Sequence, residues 1–209
     1  MPVYAGGLTI DEEKQSLRPA RAVVGGLYDG LRLIMKKGQS LGFKGRLTHI
    51  ESVLQRAFHF PLMASVAAGR IWQQGTVEQQ ETFVKVFTDF SAATYASNFA
   101  SEKGGVRFSI VDSFFLGDSV DRARVNSRLD RKDGDPVRLD YAMRRFGEQW
   151  RIIDVFLDGK ASELALRRSQ YRAVDTTTGG LADLTAYVRA AVDKIKADQD
   201  EPLLPAIVP

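Results

Sequence analysis

The sequence predicts an α+β fold: a curved antiparallel sheet of about four strands packed against helices that precede and follow it. Three observations carry this. Residues 137–144 alternate, with Val137, Leu139, Tyr141 and Met143 between Arg138, Asp140, Ala142 and Arg144, the period of a strand with one buried and one wet face. Gly147-Glu148 then separates this run from a second, Trp150 to Leu157, which is apolar nearly throughout and reads as the more central strand of a hairpin. Upstream of these strands, and again after Asp158-Gly159, apolar residues recur at helical spacing.

Taken in order, residues 1–19 read as a loose lead-in, with a possible helical turn at Asp11-Glu12-Glu13 interrupted by Arg18-Pro19. Val23, Val24, Leu27, Tyr28, Leu31, Ile34 and Met35 predict an amphipathic helix over 20–36, stopped at Gly38. Gly42 to Gly45 reads as a linker before a helix over 46–57. Phe58 to Pro61 is a corner, and Pro61 suits the first turn of a new helix that Gly69 breaks. Thr76 with Gln79 three residues on predicts a capped start for the longest helix. Its inner stripe is Phe83, Val86, Phe87, Phe90 and Thr94. Gly104-Gly105 ends it, strands follow from Val106 and Ser119, and Lys132 to Asp135 is a turn. Leu164, Leu166 and Tyr171 mark a further helix, and Leu181 to Ile195 the last one. The expected layout is one domain over 20–199, with helices over 20–102, sheet over 105–158 and helices over 160–197, followed by a proline-bearing tail over 200–209.

Composition limits the function. A net charge of +3 with dispersed Lys and Arg falls short of a nucleic-acid-binding signature. The absence of cysteine excludes thiol chemistry, disulfides and cysteine metal sites. His49 and His59 offer little for a metal, and no cofactor is expected. No apolar run is long enough to span a bilayer. The amino end lacks a basic segment followed by an apolar one, as the mature form of an exported protein also would.

No catalytic motif stands out. Asp154, flanked by Ile153 and Val155, is the carboxylate worth testing: on an apolar strand its pKa rises and it could serve as the base of an isomerase- or hydratase-type enzyme. The plainer reading is a structural partner or a solvated edge residue. His59 reads as a helix cap. The stronger signal is hydrophobic. Phe60, Met63, Phe83, Phe87, Phe90, Tyr141, Met143, Trp150 and Phe156, with Val155, Leu157 and Tyr171, form either an ordinary core or the lining of a cavity for an apolar ligand. Periodicity leaves both open, because core and cavity use the same residues. A third possibility is an aromatic surface that binds a protein partner.

One resemblance bears on the choice. Phe60, Gly69, Trp72, Gln80, Phe83, Phe87 and Thr94-Tyr95-Ala96, then Pro136-Val137, Tyr141, Trp150 to Val155, Gly159 and Arg168-Ser169-Gln170-Tyr171, resemble the toluene-tolerance/MlaC family of periplasmic lipid-binding proteins. Met35-Lys36, Leu41-Gly42-Phe43, Arg46, Thr94 to Phe99, Leu157-Asp158-Gly159 and Ser162 to Ala165 look like its hopanoid-associated (HpnM) branch. His59 departs from the family's usual aspartate, and Lys160-Ala161 departs from its usual segment. The resemblance implies a nuclear-transport-factor-like cone with added helices and a periplasmic location. It implies a hopanoid or phospholipid ligand, with Arg144 and Arg168 as candidate headgroup contacts at the mouth. It also implies hand-over to an inner-membrane transporter of RND or ABC type, transient membrane contact, and no enzymatic activity.

Overall fold

In the computed structural model the described residues are 9–100, 106–130 and 135–198. The expected breaks at Gly104-Gly105 and Lys132 to Gly134, and the tail, lie outside them. The elements run α1 (Ile10–Ser16), α2 (Arg18–Lys36), α3 (Gly38–Ala57), α4 (Phe60–Ala68), a 3-10 helix (Gly69–Gln74), α5 (Val77–Asn98), β1 (Arg107–Leu116), β2 (Ser119–Asp130), β3 (Val137–Phe146), β4 (Gln149–Leu157), β5 (Ala161–Ser162), α6 (Glu163–Tyr171) and α7 (Leu181–Asp198).

The sheet is a five-stranded antiparallel meander in the order β1-β2-β3-β4-β5. The fifth strand, missing from the expected four, is two residues long and pairs Ser162 and Ala161 with Phe156 and Leu157. So short a run carries no periodicity from which to read it. A second correction concerns β4. Its apolar sequence suggested a central position, yet it is the penultimate strand. Its outer edge is covered by the chain at Phe58-His59, where the His59 N–H donates to the Ile152 carbonyl at 2.9 Å, and further along by β5. A penultimate strand covered along its outer edge also takes apolar residues, which is why composition misplaced it.

The helical layer is built as the apolar spacing dictates, with corrections at the boundaries. Val24, Leu27, Tyr28, Leu31, Ile34 and Met35 are the buried stripe of α2. Pro19 does not interrupt this helix. It sits in the first turn, where no intrahelical N–H is needed. Ahead of it, α1 is capped by a Thr9–Glu12 capping box, and Glu13 is buried with its carboxylate accepting from the Phe115 N–H at 2.8 Å. From Ile10 onward the expected lead-in is therefore a helix tied to β1. Gly38 begins α3 instead of ending a helix, and the expected linker shrinks to a kink at Gly42, whose φ of 58° is in the left-handed region.

Two buried polar groups fix helices to their neighbours. The Tyr28 hydroxyl donates to Ser127 Oγ, which donates to the Leu139 carbonyl at 2.6 Å, so α2 is pinned across β2 and β3. Burial pushes the Tyr28 phenol up to about 12. Arg46, buried on α3, donates from Nε to the Ala96 carbonyl of α5 at 2.9 Å and to the Gly38 carbonyl at 3.1 Å.

Candidate functional site

Ten of the eleven predicted lining residues are buried: Phe60, Met63, Phe83, Phe87, Phe90, Tyr141, Met143, Trp150, Val155 and Tyr171. Leu157 is half-buried at the edge of the same core. The rings touch one another in the space between α5 and the rest of the domain. Phe60 meets Phe87 edge-on at 6.3 Å, Phe83 lies 6.2 Å from Phe87, and Tyr171 meets Phe83 edge-on at 6.2 Å. The set also divides. Tyr141 packs against Tyr28 at 5.9 Å, and Trp150 packs against Phe115 at 6.4 Å, both away from the Phe83–Tyr171 contact.

Open space lies beside that contact. A cleft of about 560 Å³ is lined by Ala68, Gly69, Arg70, Ile71 and Gln74 on one side and by Arg168, Tyr171, Arg172, Val174 and Thr176 on the other. Two local structures create it. Gly69, at φ 63°, ends α4 and turns the chain into the 3-10 helix. A Cβ there would come 3.4 Å from Arg168 Nε, an ordinary contact, so what glycine supplies is the left-handed turn. On the opposite side α6 is started firmly: the Ser162 hydroxyl caps the Ala165 N–H at 2.9 Å.

The cleft is cationic. Arg70, Arg168 and Arg172 line it, no acid does, and among the described residues no carboxylate pairs with any of them. Its floor of Ala68, Ile71, Tyr171 and Val174 is apolar. Tyr171 belongs both to the cleft wall and to the aromatic set. Of the two predicted mouth arginines, Arg168 is in the cleft and Arg144 is not. Arg144 lies on the far face of the sheet, opposite Arg122 and Arg151, with its guanidinium 5.3 Å from the Phe146 ring. Arg70 and Arg172 escaped the sequence reading, although Arg172 stands one turn beyond Arg168 and the spacing was available to find it.

Asp154 is occupied structurally. Its carboxylate accepts from the Ser162 hydroxyl at 2.7 Å, the Val155 N–H at 2.8 Å and the Leu164 N–H at 3.2 Å. It joins β4 to the start of α6. Burial pushes its pKa up, and these three hydrogen bonds pull against that. His59 is the expected cap: its Nδ1 accepts from the Leu62 N–H at 3.1 Å, and its ring stacks on Phe146 at 3.9 Å. Among the described residues no cluster of His, Asp and Glu is arranged to hold a metal, and no helix is long and apolar enough to cross a membrane.

Comparison with known proteins places this arrangement. No curated protein matches the sequence. Among solved structures, the phospholipid-binding protein from Ralstonia solanacearum, solved in complex with a phospholipid, matches with a TM-score of 0.68. It is 23% identical, and the match covers 84% of this chain and 97% of that one, so the two share a fold. The family model of the MlaC protein matches residues 27–190, from the middle of α2 into α7, and the chain therefore belongs to the MlaC family.

Proposed function

We propose that this protein is a periplasmic lipid carrier that holds a hopanoid or phospholipid by its hydrocarbon and passes it between membrane-bound transport components. The observation that carries the reading is the cleft in which unpaired Arg70, Arg168 and Arg172 surround an apolar floor, with Tyr171 connecting it to Phe83 and Phe87. A polar headgroup fits the cationic mouth, and hydrocarbon fits the aromatic stripe behind it. Chains lodging there must part the Phe83–Tyr171 and Phe60–Phe87 contacts. Removing apolar surface from water, at about 25 cal/mol per Å², supplies the driving force.

Three arginines without acidic partners among the described residues favour a phosphate-bearing headgroup over an uncharged one. Family membership and a fold shared with a protein solved with a phospholipid support the same choice. The hopanoid-associated branch, the periplasmic location and an inner-membrane transporter of RND or ABC type as partner belong to this proposal too. The competing enzyme reading has Asp154 as a base, but three donors already converge on that carboxylate.

Native mass spectrometry after incubation with a bacterial lipid extract tests the reading. A lipid adduct of defined mass is expected. No adduct from the extract, and none with added hopanoid or phospholipid, would remove the carrier assignment.

A further inference from the structure

Glu163, Arg167 and Tyr171 follow one another at four-residue intervals along α6 and so share one face of it. All three are buried, at 5%, 9% and 6% exposure. Yet among the described residues Glu163 Oε2, Arg167 Nε and the Tyr171 hydroxyl have no hydrogen-bond partner. What faces them is aromatic: the Arg167 guanidinium lies 4.7 Å from the Phe90 ring centre, and Tyr171 meets Phe83 edge-on. Buried polar atoms are normally paired, since leaving one unpaired costs about 1–3 kcal/mol. Part of the row is explained locally. Arg167 donates another N–H to Gln170 Oε1 at 2.9 Å, and its charge offsets that of Glu163. Neither contact uses Arg167 Nε–H or the Tyr171 O–H. A phenylalanine at 171 would fill the same space without stranding a hydroxyl.

We propose that Arg167 Nε–H and Tyr171 O–H form an ester-binding site, donating hydrogen bonds to the acyl ester carbonyls of a glycerolipid. This inference rests on the carrier reading and deepens it. Both free groups are donors, as two carbonyl acceptors require. Their position fits as well. In an acyl glycerolipid the esters lie between headgroup and hydrocarbon, and Tyr171 lies between the arginine cleft and the Phe83–Phe87 stripe. Arg167 stands one helical turn earlier in α6, a rise of about 5.4 Å along the axis, a spacing that suits two esters on neighbouring glycerol carbons. Glu163, one turn earlier again, is an acceptor and keeps Arg167 in place by charge. Ether oxygens are weaker acceptors than ester carbonyls and hopanoid hydrocarbon offers none, so the site favours ester-linked lipid.

The test uses the full chain freed of lipid and two probes that differ in one respect. These are dioleoyl phosphatidylglycerol and its diether analogue, with the same headgroup and chain length, compared by native mass spectrometry in direct competition. The ester lipid is expected to win by about tenfold, equivalent to about 1.4 kcal/mol. Tyr171→Phe and Arg167→Lys are each expected to lower that preference severalfold while still binding lipid. Tyr171→Phe, which removes a stranded hydroxyl, should melt no lower than the parent protein. Equal binding of the two probes by the parent, or an undiminished preference in both variants, would overturn the ester site and leave the carrier standing. A large stability loss in Tyr171→Phe would also overturn it, by revealing a partner for that hydroxyl within the protein. Failure of both probes to bind would overturn the ester site, and the carrier would then stand or fall on the lipid-extract measurement.

Discussion

Arg122 on β2 and Arg144 on β3 stand directly opposite each other, and Arg151 on β4 stands opposite Arg144 in turn. Nearby arginines are matched with acids: Arg145 with Asp121 at 2.7 Å, Arg138 with Asp140 at 2.7 Å, and Arg128 with Asp130. No carboxylate among the described residues pairs with the row of three. Arg151 instead donates to Gln149 Oε1 at 2.7 Å and to the Trp150 carbonyl at 3.3 Å.

Like charges directly across a sheet are destabilising, and opposite charges contribute roughly 0.2–1 kcal/mol. Arg144→Glu, which places an acid between Arg122 and Arg151, should therefore raise the melting temperature by about 1–4 °C at low salt. The gain should shrink in high salt, since exposed charges are screened. A thermal melt at two ionic strengths checks it, and a lowered midpoint at low salt would contradict the like-charge reading of the row.

Asp154→Ala should destabilise the protein by about 1–3 kcal/mol, because the Ser162 hydroxyl and the Leu164 N–H lose their acceptor at the β4–α6 junction. Lipid retention per folded molecule should persist. Denaturant unfolding together with native mass spectrometry separates the two effects. A variant as stable as the parent would show that the Asp154 carboxylate does not hold the β4–α6 junction.

The pH dependence has a definite sign. Burial raises the pKa of Glu163 above its ordinary 4.5 and that of Asp154 above its ordinary 3.8. Above those values the folded protein keeps protons that the unfolded chain has lost. The stability these groups contribute is therefore full below the ordinary values and is lost as pH rises through the raised ones. Glu163→Gln should flatten this fall in urea midpoints measured upward from pH 4, and an unchanged slope would show that Glu163 is not titrating in that window.

Arg46→Met keeps much of the side chain's bulk but strands the carbonyls of Ala96 and Gly38. A loss of about 2–4 kcal/mol is expected. In the thermal midpoint that is a fall of roughly 4–16 °C for a chain of this size. A variant melting within a degree or two of the parent would show that other donors replace the guanidinium.

Local rules were enough to read several elements. The Thr76–Gln79 capping box, the α2 stripe and the β3–β4 hairpin each rest on contacts between residues close in sequence, and each lies where the pattern put it. The error at β4 has the opposite origin. Apolar character reports covering, and a strand covered along its outer edge by Phe58-His59 need not be central.

The binding region divides along the same line. By itself the sequence determined which residues are oily, the capped start of α5 and the α+β order, because hydrophobic period and capping chemistry are written in neighbouring residues. Only the tertiary structure decided that Arg70 joins Arg168 and Arg172 around a cleft while Arg144 goes to the opposite side of the sheet. It alone decided that Arg167 packs on Phe90 and Tyr171 on Phe83, with a donor of each unpaired among the described residues. Those placements depend on how α4, α5 and α6 pack, and packing joins residues about a hundred positions apart, where no local period reaches.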